Sequence, residues 1–269
     1  MLIPNFVQVT YYSGTRGGTG KTTLAVNTAL ALPQSLGGRV VLVDLGVDST
    51  DRASRLLGVD SSIPGATDFL MGDVNDVDQI IARSAYLPNS VFVVPPGRYR
   101  SYQVIYTDVS VRRILDRWLY MVSAIAMRTR ARAILVDLPA QPPQNLLIPV
   151  LVASHIINLV MEYSSDVEDV LREIDDEYVK VLAIKVSKVV NVILNKAFPG
   201  VDNQEARIRN YAHGGAVITV PMVPEVHFAT AVKLKPAILL EPKGQLGAFR
   251  KAVDNVVKTI TRQVRSILG

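Results

Sequence analysis

Two segments of this chain, RVVLVDL at 39–45 and RAILVDL at 132–138, are apolar at consecutive positions and then reach an aspartate. A strand with one solvated face alternates apolar and polar side chains. A strand apolar on both faces is covered on both, which is the condition of a parallel sheet with helices on either side. Related runs at 6–12, 90–94, 155–161, 189–194 and 216–220 repeat the pattern, and segments of helical period at 21–32, 108–130, 166–185 and 247–268 separate or follow them. The alternation predicts an α/β fold: a doubly wound, mostly parallel sheet flanked by helices. No repeat, low-complexity tract or linker divides the chain, so residues 1–269 are expected to form a single domain.

Composition narrows the classes. Apolar residues make up 49% and charged residues 20%, which suits a globular chain. No apolar run approaches the ~20 residues that span a bilayer, and the N-terminus shows no basic segment leading into a long apolar stretch. The expected location is cytoplasmic. The absence of cysteine rules out a disulfide framework, a thiolate metal site and an iron–sulfur cluster. His155, His213 and His227 lie far apart without ligand spacing. A net charge of +5 permits an anionic partner, either DNA or a membrane surface, as well as a mildly basic surface with none.

The stretch SGTRGGTGKTT, residues 13–23, holds four glycines in eleven residues between the first strand and the first helix. Gly17, Gly18 and Gly20 permit backbone angles that other residues avoid. They let successive N–H groups, including that of Thr19, turn inward as a nest for phosphate oxygens. The helix starting at Lys21 aims its positive end at the same point. Lys21 can reach the β- and γ-phosphates, Thr22 can ligate Mg²⁺ through its hydroxyl, and Thr23 can bond a nearer phosphate. The common phosphate-loop spacing places a glycine at 15. Here that position is Thr15, with Gly14 one place earlier. In open α/β sheets ligands sit beyond the carboxyl ends of strands, so the loops there are the place to look.

RGGTGKTT resembles the deviant phosphate loop of the ParA/MinD family of P-loop ATPases. The resemblance continues in order through VVLVDLGVDST (40–50), AILVDLPAQPP (133–143), VNVILNKAF (190–198) and VITVPMVPE (217–225) followed by ATAVKLKPAI (229–238). It implies ATP and Mg²⁺ as ligands and an ATP-dependent homodimer. It also implies non-specific DNA binding for partitioning or cargo positioning, association with the nucleoid, and an activating partner of the ParB kind. The family's cross-subunit lysine corresponds to Arg16, which keeps the charge and adds a planar fork; a purely local ion pair is the other role open to it.

Asp44 matches the first aspartate of the second motif, as a catalytic and Mg²⁺-holding carboxylate. The second acid of that motif is replaced by Gly46, and Asp48 lies two residues further on. Asp48 is either a displaced base or a turn and helix-cap residue, and slow basal hydrolysis is expected. Asp137 fits the metal-facing acid of the third motif, and 139–143 corresponds to its switch loop. Asn195 matches the adenine-contacting asparagine, and Pro221, Val223 and Pro224 match the base loop. For a DNA surface the candidates are Arg98, Arg100, Arg112 and Arg113, beside Tyr99 and Tyr102, together with Lys258 and Arg262 on the last helix. Solvated helix faces explain the same residues equally well. Other readings remain: a MinD-like membrane-associated ATPase, through the amphipathic last helix; a nucleotide-binding scaffold with little hydrolysis; and a ligase that activates a carboxylate with ATP.

Overall fold

The computed structural model describes residues 5–46, 52–60, 62–98, 109–164, 166–182, 188–198 and 205–269. Asp48, Tyr99, Arg100 and Tyr102 lie outside them. Among the described residues, eight strands form one sheet: β1 (Val7–Tyr12), β2 (Arg39–Asp44), β3 (Ala82–Arg83), β4 (Val91–Val94), β5 (Ala131–Asp137), β6 (Ile156–Glu162), β7 (Val189–Ala197) and β8 (Gly214–Pro221). Their order is β3-β4-β2-β5-β1-β6-β7-β8. Every pairing is parallel except β3 with β4. The doubly wound sheet read from the apolar runs is therefore the one observed. The sequence reading missed β3, a two-residue antiparallel edge.

Helices cover both faces. α1 (Lys21–Leu36), α2 (Arg52–Leu56) and α9 (Gln245–Leu268) pack with Val40, Leu42, Ala133 and Leu135 in one apolar core. α3 (Ala66–Met71), α4 (Val111–Thr129), α5 (Gln144–Ala153) and the start of α6 (Val167–Leu182) pack with Val41, Val43, Ile134 and Val136 in the other. Alternate residues of β2 and β5 thus serve opposite cores, as their double-sided apolar pattern requires. Two short helices, α7 (Glu205–Ile208) and α8 (Pro224–His227), flank β8 in sequence.

β1 occupies the centre, between β5 and β6. Its fully buried Gln8 donates to Val150 O at 2.9 Å and accepts from Trp118 Nε1 at 3.1 Å. That joins the chain's single tryptophan, the central strand and α5 in one satisfied polar network. β2 and β4 lie on one side of the β5–β1 pair and β7 and β8 on the other, so the strand order reverses at β1. Doubly wound sheets place their crevice at that position.

The amphipathic last helix is internal. Phe249, Val253, Val256, Val257, Ile260 and Val264 are buried against α1 and the sheet. Gln263 in the same helix exchanges hydrogen bonds with Asn191 on β7, at 2.8 and 3.1 Å. The apolar stripe that could have served a membrane is consumed in the core. No helix among the described residues is long and apolar enough to cross a bilayer.

Candidate functional site

At the carboxyl edge of the sheet β1 leads into the glycine loop, and the loop leads into α1. The N-cap of α1 is Gly20 at φ 92°, in the left-handed region that favours glycine. A Cβ there would lie 2.1 Å from Asn195 Nδ2, so the position is closed to a side chain on two counts. Asn195, near the end of β7, donates from Nδ2 to Thr19 O at 2.7 Å and is buried. The asparagine matched to the adenine contact is thus tied, by its amide donor, to the phosphate loop itself.

Lys21 opens α1 and is buried, with Nζ donating to Ser13 Oγ at 2.7 Å; Ser13 Oγ in turn donates to Arg16 O at 2.7 Å. Burial lowers the Lys21 pKa, and the Asp137 carboxylate opposes that shift. Asp137 ends β5 directly across from Asp44 at the end of β2. Burial raises the Asp137 pKa to about 6, against a hydrogen bond from Thr22 and the charge of Lys21. Lys21, Thr22 and Asp137 therefore converge at one point, although they come from two elements.

Two buried oxygens in this region, Asp137 Oδ1 and Thr19 Oγ1, have no hydrogen-bond partner in the structure. Buried polar atoms are normally satisfied, and an acceptor left over beside a threonine hydroxyl suits a hard cation. The donor set fits Mg²⁺, which takes one or two protein oxygens and completes its shell with phosphate and water. Among the described residues no cluster of three His, Asp or Glu could hold a metal alone.

Asp44 is placed differently. It is fully buried, and its two oxygens accept from Gly46 N (2.9 Å), Ser54 N (2.8 Å) and Ser54 Oγ (2.8 Å). Burial, with the neighbouring Asp137 charge, raises its pKa to about 7. In this arrangement Asp44 pins the start of α2 to the end of β2.

A cleft of about 1200 Å³ runs along this edge. It is lined by the loop from Gly17 to Thr23, by Gly46, Arg52 and Asp137, and by Pro139 to Gln141. Asn195, Pro221, Met222 and Val223 line its other end, with His227, Thr230 and Phe249 behind them. Two of the non-glycine residues held at positive φ, Gln141 and Lys196, are also in the wall. Pro224 starts α8 just past Val223.

The structure leaves some candidates outside the cleft. Arg16 Nη2 reaches Asp166 Oδ2 at 2.6 Å, and the two side chains are 47% and 44% exposed. Arg98 Nε donates to the fully buried Asp68 at 2.9 Å, closing the turn after β4. Arg112 and Arg113 are exposed at the start of α4 and Lys258 and Arg262 are exposed or partly exposed on α9, so the two basic sets lie on opposite faces of the sheet. Sequence reading had not singled out Ser13, Arg52 or Asp166. Ser13 opens the glycine-rich stretch and Arg52 lies two residues past the second motif, but only the fold shows that one is buried under Lys21 and the other lines the cleft.

The family model described as the CobQ/CobB/MinD/ParA nucleotide binding domain matches residues 12–236. No curated protein sequence matches the chain. Among solved structures, the septum site-determining protein MinD of Pyrococcus horikoshii, complexed with Mg-ADP, superposes with a TM-score of 0.69 at 22% identity, over 96% of this chain and 98% of that one. A ParA family ATPase from Chlorobium tepidum gives 0.69 at 17%, over 94% and 98%. A putative plasmid partition protein from Borrelia burgdorferi, bound to AMPPNP, gives 0.68 at 14%, over 97% and 98%. At these identities the likeness establishes the fold.

Proposed function

The chain belongs to the CobQ/CobB/MinD/ParA nucleotide-binding domain family, and from that premise we propose that it is a ParA-like ATPase that uses ATP as a conformational switch. The observation that carries this reading is the convergence of the buried Lys21 and Asp137 and the half-buried Thr22 at the glycine loop, in a cleft large enough for a nucleotide. The glycine loop and the N-terminus of α1 bind the phosphates, and Lys21 neutralises them. Thr22 and Asp137 would hold Mg²⁺, which would supply positive charge to offset that of the phosphates. Pro221, Val223 and Asn195 border the base.

Hydrolysis is slow in this reading. Gly46 supplies no carboxylate, and Asp44 already accepts bonds on both oxygens from Gly46 and Ser54. A general base has to lie within about 3 Å of the water it activates, and the three bonds to Gly46 and Ser54 hold Asp44 against the start of α2 instead. The same glycine favours a second reading, a nucleotide-dependent scaffold that turns over little. Arg16 acts across an ATP-dependent homodimer. Its pair with Asp166 is half exposed, so exchanging that carboxylate for a partner's phosphate costs little. The dimer binds DNA without sequence preference and releases it after hydrolysis, which a separate activating protein stimulates.

The test is binding to a random-sequence duplex with ATP, ADP or no nucleotide, at two salt concentrations, with oligomeric state followed in the same samples. ATP-dependent binding that accompanies dimerisation and weakens steeply with salt supports the proposal. A duplex left unbound in all conditions removes the DNA role. Lys21→Ala is expected to abolish nucleotide binding, and unchanged binding would remove the phosphate-loop assignment.

A further inference from the structure

We propose that Arg52 reads the terminal phosphate of the bound nucleotide, so that the cleft itself distinguishes a triphosphate from a diphosphate. The inference rests on the nucleotide reading above and deepens it.

The sheet order gives the cleft a direction. β7 and β8, with Asn195 and Pro221, lie at one end; β1 and the glycine loop lie in the middle; β5 and β2, with Asp137 and Gly46, lie at the other. A base seated against Pro221 and Val223, with its phosphates at the loop, makes a polyphosphate that lengthens toward β5 and β2. A diphosphate ends at the glycine loop and the N-terminus of α1. A third phosphate is displaced further, toward Asp137 and Gly46.

Arg52 stands at that end. It begins α2 and lines the cleft together with Gly46. Its place is set by a rigid support, because Ser54, two residues on, is held by its backbone N and its hydroxyl to the buried Asp44. Arg16, Arg98 and Arg117 are each engaged by a carboxylate or by backbone carbonyls. Arg52 is exposed and has no ion pair among the described residues. A carboxylate at position 46 would neutralise a cation on this wall, and glycine supplies none. A guanidinium presents paired donors to phosphate oxygens, and a terminal phosphate offers more of them than a bridging one.

The test is calorimetric titration of the full chain with a slowly hydrolysed ATP analogue and with ADP, both with Mg²⁺, for the wild type, R52Q and R52K. For R52Q the analogue is expected to bind about 10-fold or more weakly, the loss of one charge-assisted contact, while ADP changes by less than about 3-fold. R52K is expected to recover part of the loss. Retained ADP affinity also shows that the variant is folded. Equal weakening of both ligands by R52Q and R52K, or no weakening of either, overturns the role of Arg52 and leaves the nucleotide site standing. A wild type that binds neither nucleotide overturns the nucleotide reading and Arg52's role with it.

Discussion

At the scale of single residues the site is defined by atoms placed where water would ordinarily satisfy them. Lys21 is buried with a serine hydroxyl for company, Asp137 keeps an oxygen without a partner, and Gly20 holds a backbone angle and a contact that exclude any Cβ. The last point is measurable. Gly20→Ala is expected to lower stability by about 2 kcal/mol or more, from left-handed strain of roughly 1–2 kcal/mol plus the clash with Asn195. In the double variant with Asn195→Ala the clash is relieved and the strain remains. Urea unfolding of the single and double variants gives the coupling, and strictly additive losses would show that the two residues do not meet.

The glycines, Lys21 and Thr22 were legible because phosphate binding needs those residue types at contiguous positions. Ser13 and Arg52 were not, since a hydroxyl or an arginine near a motif means little until burial and direction are known. The Arg16–Asp166 pair spans 150 positions, and no local pattern encodes it.

At the scale of elements, the strands apolar on both faces were legible because the runs are short, rich in Val and Ile and alternate with helical segments. β3 was not, being two residues long and paired on one side only. β7 was expected to end at 194 and extends to Ala197 through an irregular register, with Lys196 in the left-handed region. α1 was expected to end at 32, before Pro33. It continues to Leu36 because Leu32 and Leu36 are buried, and the helix closes on Gly37, whose N–H bonds Pro33 O. Core burial outweighs the one backbone bond that proline removes.

The junction of α5 and β6 makes a prediction about pH. His155 Nδ1 accepts the Gln8 N–H at 3.0 Å, which requires the unprotonated nitrogen. Burial first, and the nearby Lys188 second, lower its pKa below the ordinary 6.5. Its stabilising contribution is therefore fully present above pH 6.5 and is lost as pH falls through the folded value. His155→Asn keeps an acceptor without a titrating ring, and is expected to flatten the acid limb of the stability profile below about pH 6.5. Identical acid limbs in thermal unfolding of the two proteins would show that His155 is not the group responsible.

At the scale of the whole molecule, the sheet separates the two basic surfaces. Arg112 and Arg113 of α4 and Lys258 and Arg262 of α9 are exposed on helices that cover opposite faces of one protomer. The DNA reading therefore predicts asymmetry. Charge reversal at one pair is expected to weaken ATP-dependent DNA binding by about 10-fold or more at low salt and to reduce the salt slope, while reversal at the other changes little. Equal effects from both pairs would favour a general dependence on net charge over a defined surface.

The position of β1 at the middle of the sheet also has a consequence in time. β1 precedes the other described strands in the chain, yet it pairs with neither β2 nor β4. Its partners begin about 125 residues later, at Ala133 opposite Val7 and Ile156 opposite Val9. At synthesis rates of about 5–20 residues per second, Val7–Tyr12 waits roughly 6–25 s before its first neighbour exists. Until then an apolar strand and the loop behind it emerge without the frame that shapes them. Ser13 to Thr23 is therefore translated well before its frame, and the nascent chain acquires its phosphate cradle only after Asp137 has been added.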